Sequence, residues 1–238
     1  MFAGIRLAAA LLALACSLVH SEDLPTDPQT ALRDLPLIET SAAEAPEALA
    51  IILSGDGGWR EIEQRMATEL TRANIGIVGL DSLQYFWRAS TPEQLAADLE
   101  RIIALYTAAW HVEDVLLVGY SFGADVLPAA VNRMDARTRD RVVQISLLGL
   151  AKDASFEFHV AGWLGIANSR AQPIEPEAAR LDSAKVQCIY GKSERDSLCR
   201  NAVFRDAELI ETPGGHHFGG DYEWLAQQLL AGYRARSE

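Results

Sequence analysis

Residues Gly119 to Gly123 match the pattern G-x-S-x-G, with Ser121 at the centre. The apolar run 115–118 precedes this pentapeptide, and residues 124–131, which can begin a helix, follow it. A serine held in a tight turn between a strand and a helix is strained, so its neighbours must be small, and glycines meet that need. The order of strand, turn and helix therefore predicts a nucleophile elbow with Ser121 as the nucleophile, against the alternative of an ordinary glycine-rich turn.

A serine nucleophile needs a general base, and the base needs an acid that orients it. After an elbow of this kind the chain order is serine, acid and histidine. Glu194 and Asp196 lie in the loop after one predicted strand, and His216 and His217 lie in a glycine-rich loop after the next. The chain thus contains candidates for a complete catalytic triad, in which only one histidine can act as the base.

An oxyanion hole is the third requirement of acyl transfer by a serine. The apolar run 49–53 ends in a glycine-rich segment, where backbone amides can approach a substrate oxygen closely. We assign the hole to the amides of Phe122 and Asp56, with Gly57 as the alternative donor. Asp56 can also cap a helix that begins near Arg60, and both roles are compatible because a helix start has unpaired amides.

Apolar strand-length runs alternate with helical patterns along the chain, which argues for a parallel sheet covered on both faces. The nucleophile elbow makes this an α/β-hydrolase fold with a mostly parallel sheet. The chain has 238 residues, of which 49% are hydrophobic, enough for one large domain with a substantial core. We place that domain at residues 47–238. The sequence shows no zinc-ligand spacing and no Walker loop, so we expect neither a metal nor an organic cofactor.

The N-terminus has the pattern of a secretory signal peptide at residues 1–21, with Arg6 before an apolar stretch too short to span a membrane. An A-x-A pattern would start the mature chain at Cys16, and cleavage after Ser21 is the alternative. A lipid anchor on Cys16 is disfavoured because Ala13, not leucine, lies three residues before it. Residues 22–46 are acidic, rich in proline and without periodicity, which predicts a linker or flexible arm.

Export makes disulfides permissible. Cys188 lies in the strand before the loop of the candidate acids, and Cys199 lies at the far side of that loop. We predict a bridge between them that limits the movement of the catalytic carboxylate. Two unpaired buried thiols are the alternative.

Five segments carry a resemblance to a known family, the bacterial virulence proteins called VirJ and AcvB: LSGDGGW at 53–59, DSLQYFW at 81–87, GYSFGADVLP at 119–128, FEFHVAGWLG at 156–165 and PGGHHF at 213–218. The resemblance extends from about residue 48 to about residue 230. It implies a periplasmic α/β-hydrolase, and related proteins cleave aminoacyl-phosphatidylglycerol, a lipid that carries lysine or alanine through an ester. Some members are linked to type IV secretion. The chain resembles the short, single-domain form.

The choice within each pair of triad candidates rests on smaller signals. We predict Asp196 as the acid because its side chain is short and Cys199 would hold its backbone, although Glu194 has the more usual offset from the preceding strand. Related hydrolases often read Pro-Gly-x-x-His-Phe in the last loop, which aligns His217 with the base and His216 with a supporting neighbour. Glu194 and His216 remain the alternatives.

Aromatic residues follow several predicted strands at the edge where ligands bind in such sheets. Trp59, Trp87 and Trp163 are candidates for lining an apolar lipid site, with core packing as the alternative.

The chain has 33 acidic and 21 basic residues, a net charge of −12, which disfavours nucleic acid and anionic membrane surfaces as partners. The charge is compatible with a cationic aminoacyl group. The candidate counter-charges are Asp81, Asp125 and Glu157.

The sequence therefore predicts a periplasmic serine hydrolase that cleaves an ester, with aminoacyl-phosphatidylglycerol as the substrate that the resemblance implies. A generic carboxylesterase or thioesterase is one alternative, because fold and triad do not determine the substrate. A non-catalytic periplasmic protein that binds components of a type IV secretion apparatus is the other.

Overall fold

The computed structural model describes residues 27–40, 45–157 and 171–237. The strands in these residues are β1 (Leu37–Thr40), β2 (Ala48–Leu53), β3 (Ile75–Leu80), β4 (Val115–Tyr120), β5 (Val142–Leu148), β6 (Asp153–Ala154), β7 (Gln172–Pro173), β8 (Val186–Gly191) and β9 (Glu208–Thr212). The α-helices are α1 (Pro28–Ala31), α2 (Glu61–Arg72), α3 (Ser82–Tyr85), α4 (Pro92–Trp110), α5 (Phe122–Val131), α6 (Ala136–Arg141), α7 (Glu175–Ala178) and α8 (Tyr222–Ser237). Short 3-10 helices cover Ser183–Lys185, Leu198–Arg200, Ala202–Phe204 and Phe218–Gly220. The predicted signal peptide, Cys16 and Trp163 lie outside the described residues.

Seven strands form one sheet in the order β1-β3-β2-β4-β5-β8-β9. β1 runs antiparallel to β3, and the other neighbouring strands of this sheet are parallel. β6 and β7 form a small antiparallel pair of their own. The predicted mostly parallel sheet with helices on both faces is confirmed.

The sheet is covered on both faces because its central strands alternate their side chains between two apolar cores. β2 is buried at every position. Its residues Leu49, Ile51 and Leu53 join the core beneath α4 and α5, whereas Ala50 and Ile52 join the core beneath α2 and α8. A strand buried on both faces must be a continuous apolar run, which is how β2 reads in the sequence. The carboxyl ends of the parallel strands meet at one edge, where their loops come together.

Residues 27–40 are not the flexible linker that the sequence predicts. β1 extends the sheet by pairing with the edge of β3, and Leu32 is only 1% exposed within the core beneath α4. Asp34 accepts two hydrogen bonds from Arg101 on α4, so its carboxylate stabilises the contact between this segment and the helix. The folded domain therefore begins before residue 47, the predicted boundary.

Replacement of Leu32 tests whether this segment belongs to the domain. Leu32→Ala should lower the free energy of unfolding by about 2–5 kcal/mol, because it removes buried apolar atoms and leaves a cavity. Arg33→Ala, at the exposed neighbouring position, is the matched control and should change the free energy by no more than about 0.5 kcal/mol. Urea titration of both variants measures the difference, and equal stabilities would show that residues 27–40 contribute nothing.

Candidate active site

The turn between β4 and α5 places Ser121 at the carboxyl edge of the sheet. Ser121 has φ 53° and ψ −121°, in a region that L-residues rarely adopt. A Cβ on Gly119 would lie 2.6 Å from the Ala124 nitrogen, and a Cβ on Gly123 would lie 2.4 Å from the Leu53 carbonyl oxygen. Only glycine fits at either position, so the chain has the strained turn that the sequence pattern predicts.

Ser121, His216 and Glu194 form a continuous chain of hydrogen bonds. The Ser121 Oγ lies 2.7 Å from His216 Nε2, and His216 Nδ1 lies 2.6 Å from Glu194 Oε1. We assign the proton of the neutral imidazole to Nδ1, because the carboxylate can only accept, and this leaves Nε2 to accept from the serine hydroxyl. The arrangement is that of a nucleophile, its base and the acid that orients the base.

The prediction of His217 as the base is wrong in this structure. The Nδ1 atom of His217 lies 3.1 Å from the Tyr120 hydroxyl, and only the neighbouring His216 reaches Ser121. The next residue, Phe218, is buried in the core beneath α2, which fixes the orientation of the loop. His216 packs directly over Gly149, where a Cβ would lie 2.8 Å from the His216 Cε1 atom.

The prediction of Asp196 as the acid is also wrong. Its side chain is 91% exposed and forms a salt bridge of 2.9 Å with Lys152, which lowers the pKa of the Asp196 carboxyl. The Glu194 carboxylate is only 14% exposed, and its Oε2 accepts a hydrogen bond of 2.6 Å from the Gly191 amide. The longer glutamate side chain can bend back to its own strand and still reach His216.

The predicted disulfide between Cys188 and Cys199 is confirmed, with a Cα–Cα distance of 5.6 Å. The bridge joins β8 to the far side of the loop that carries Glu194. Arg200 holds the same loop, because its guanidinium donates to the carbonyls of Glu194 and Lys192 at 3.2 and 3.0 Å. The acid is therefore fixed by a covalent link and by backbone hydrogen bonds.

A cavity of about 520 Å³ opens beside Ser121. The segment 55–58, His216 and Tyr222 are among the residues that line it. A Cβ on Gly55 would lie 3.5 Å from the Ser121 Cβ, so the glycine-rich loop after β2 packs against the nucleophile. The structure thus brings Asp56 and Gly57 into the cavity of Ser121, while Phe122 is the first residue of α5.

Trp59 and Trp87 lie away from the cavity beside Ser121. Trp59 packs against β3, where a Cβ on Gly79 would lie 2.3 Å from its ring. Trp87 is 65% exposed and lines a separate cavity of about 680 Å³, together with Tyr85 and Arg101. Neither lines the 520 Å³ cavity, so the structure does not support their predicted role beside Ser121.

Two of the acidic candidates, Asp81 and Asp125, use their carboxylates in hydrogen bonds within the fold. Asp81 caps α3 by accepting from the Gln84 amide. Asp125 accepts a hydrogen bond of 2.8 Å from the Ala151 amide, and burial raises the pKa of its carboxyl to about 8. The main-chain carbonyl of Glu157 accepts a hydrogen bond from Ser155 Oγ.

In the part of the chain that the structure describes, no group of three or more His, Cys, Asp and Glu side chains could hold a metal ion.

The family model of the bacterial virulence protein VirJ matches residues 47–237. The chain belongs to the VirJ family. This membership and the disulfide indicate an exported protein, and among the described helices none has the length and apolar character that a membrane crossing requires.

Solved structures share the fold of this VirJ family member. MenH from S. aureus aligns with a TM-score of 0.61 at 11% identity, covering 85% of this chain and 99% of that one. Est1E from Butyrivibrio proteoclasticus, with bound ferulic acid, gives 0.58 at 12%, covering 85% and 95%. A membrane phospholipase A described as a bacterial virulence factor gives 0.58 at 17%, covering 85% and 83%. These likenesses show the α/β-hydrolase fold. A comparison with curated proteins finds no match.

Paired variants test which residues complete the triad. His216→Ala and Glu194→Gln should lower the turnover of an activated ester by about 10⁴-fold or more, because they remove the base and its orienting acid. His217→Ala and Asp196→Asn are the matched controls, one in the same loop and one in the acid loop, and should retain turnover within about tenfold. Steady-state kinetics of the four folded proteins give the ranking. The reverse ranking would return the assignment to Asp196 and His217.

Proposed function

We propose that this protein is a periplasmic serine hydrolase that cleaves the aminoacyl ester of aminoacyl-phosphatidylglycerol. The observation that carries the proposal is the hydrogen-bonded chain of Ser121, His216 and Glu194 at the edge of a solvent-accessible cavity. A serine hydroxyl bonded to an oriented neutral imidazole is activated for attack on a carbonyl carbon.

In the first step His216 Nε2 takes the hydroxyl proton while the Ser121 Oγ forms a bond to the ester carbonyl carbon. The carbonyl oxygen becomes an oxyanion, which the amides of Phe122 and Asp56 stabilise by donating hydrogen bonds. The bond to the leaving oxygen then breaks, and His216 gives its proton to that oxygen. The products are phosphatidylglycerol, with its hydroxyl restored, and an aminoacyl ester on Ser121.

Water completes the reaction by the same route in reverse order. His216 takes a proton from water as the oxygen attacks the acyl carbon, and returns it to the Ser121 Oγ as the acyl–serine bond breaks. The free amino acid leaves. Glu194 stays ionised throughout and stabilises the imidazolium of both steps. Every proton passes through His216, so the proposal invokes neither a metal nor an organic cofactor.

Two observations support an aminoacylated phospholipid as the substrate. The chain belongs to the VirJ family, and the resemblance of its motifs to that family implies action on this lipid. Asp56 and Glu61 line the cavity beside Ser121 together with Arg60, so acidic side chains outnumber basic ones there, which suits a cationic aminoacyl group. A generic carboxylesterase or thioesterase is the enzymatic alternative, and a non-catalytic protein of the type IV secretion apparatus is the other.

Hydrolysis of defined vesicles distinguishes these functions. Purified protein should release free lysine or alanine from vesicles that contain lysyl- or alanyl-phosphatidylglycerol, and should prefer them to a nitrophenyl ester. Ser121→Ala should reduce the release by about 10⁶-fold, because no other group supplies the nucleophile. Ser183→Ala, before β8 at the opposite end of the sheet, is the matched control and should be as active as the wild type.

The other possible results of this vesicle assay contradict the proposal in different ways. Cleavage of the nitrophenyl ester without cleavage of the lipid would favour a carboxylesterase. A folded wild type that cleaves neither would favour the binding protein. Release that persists in Ser121→Ala would rule out the mechanism.

A further inference from the structure

Glu63 is a buried carboxylate that the proposed reaction does not use directly. It lies in the first turn of α2, is 1% exposed, and borders the cavity beside Ser121. Its Oε1 accepts a hydrogen bond of 3.2 Å from the Gly55 amide, and its Oε2 accepts one of 2.9 Å from the Arg60 amide. The two oxygens therefore bind both ends of the loop between β2 and α2.

Capping of α2 accounts for only one of these bonds. A side chain at the third helical position commonly accepts from the backbone amide of the N-cap residue, here Arg60. The bond to Gly55 reaches eight residues back along the chain, outside the helix. Burial raises the pKa of the Glu63 carboxyl, which reflects the cost of removing a charge from water. A neutral side chain could cap the helix without the cost of burying a charge. The bond from the Gly55 amide therefore indicates that the carboxylate has a role beyond capping.

The bond to Gly55 restrains the residue next to the proposed oxyanion donor Asp56. The Gly55 carbonyl accepts from the Gly58 amide at 3.1 Å, which closes a tight turn around Asp56. On its other side Gly55 packs against Ser121, where its Cβ would lie 3.5 Å from the Ser121 Cβ. A shift of Gly55 would therefore move the Asp56 amide relative to the nucleophile.

We propose that Glu63 is a positioning residue that holds the loop of residues 54–60 so that the Asp56 amide faces the oxyanion formed at Ser121. This inference rests on the proposed serine-hydrolase function. An oxyanion hole acts through donors already fixed in place before the reaction, and a donor that must be reorganised loses much of its effect. Glu63 supplies that fixation from beneath the cavity without touching the reacting atoms.

Two substitutions separate positioning from capping. Glu63→Gln keeps the shape but has one acceptor oxygen, and its amide group would meet one of the two backbone donors. Glu63→Asp keeps the charge and can still accept from Arg60, but it is one methylene shorter and cannot also reach Gly55. Asp135→Ala is the matched control, because Asp135 caps α6 by accepting from Thr138, at the opposite end of the sheet.

The readouts are kcat and KM for p-nitrophenyl butyrate, the inhibition constant of an alkyl trifluoromethyl ketone, and the melting temperature. The ketone forms a tetrahedral adduct with an oxyanion, so its affinity reports the oxyanion hole. Both Glu63 variants should lower kcat by about 10- to 100-fold and leave KM within about threefold of the wild type. They should raise the inhibition constant of the ketone by a factor similar to the loss of kcat. Asp135→Ala should lower the melting temperature and leave all three kinetic constants unchanged.

Glu63→Asp decides the question if Glu63→Gln does not fold. Retention of kcat and ketone affinity within about threefold in a folded Glu63 variant would overturn the proposal, as would losses that only follow the folded fraction. A wild type that neither cleaves the ester nor reacts with a fluorophosphonate would overturn the proposed function itself, and this inference with it.

Discussion

The left-handed backbone of Ser121 sets the geometry on which the other site residues depend. Such a conformation costs a residue with a Cβ about 1–3 kcal/mol, so the surrounding structure must hold it. The Ser121 amide donates to the Leu148 carbonyl of β5 at 2.8 Å, and the Ser121 carbonyl accepts from Asp125 in the first turn of α5 at 3.0 Å. The two parallel strands and the helix thus maintain a turn that presents the hydroxyl to the cavity.

The base and the acid reach Ser121 because their two loops are tied to each other. The Ser193 amide and hydroxyl both donate to the Gly214 carbonyl at 2.8 Å. Gly191 and Gly215 approach so closely that a Cβ on Gly191 would lie 2.4 Å from the Gly215 oxygen. Since β8 and β9 are parallel neighbours, these contacts at their carboxyl ends fix the distance between Glu194 and His216. The disulfide at Cys199 adds a covalent constraint on the same loop.

The sequence predicted the parts of this arrangement that depend on local pattern. The elbow at Ser121, the mostly parallel sheet and the disulfide follow from glycine spacing, apolar runs and cysteine placement. The choice between adjacent histidines depends on how Phe218 packs in the core, which no local spacing expresses. Local spacing cannot exclude Asp196 as the acid, because its salt-bridge partner Lys152 lies 44 residues away in the chain. The offset of Glu194 from Gly191 was the available signal. Residues 27–40 resemble a linker in the sequence because the partners of their acidic side chains, such as Arg101 for Asp34, lie on a distant helix.

The most direct test of the triad is the site and rate of reaction with a fluorophosphonate, located by mass spectrometry of peptides from the folded protein. The phosphorus atom bonds to the serine whose hydroxyl is activated by the base, so the adduct reports the nucleophile and its partner together. The account predicts one adduct, on Ser121, that forms rapidly in the wild type and in His217→Ala but not in His216→Ala. An adduct on another residue, or rapid labelling of Ser121 without His216, would contradict it.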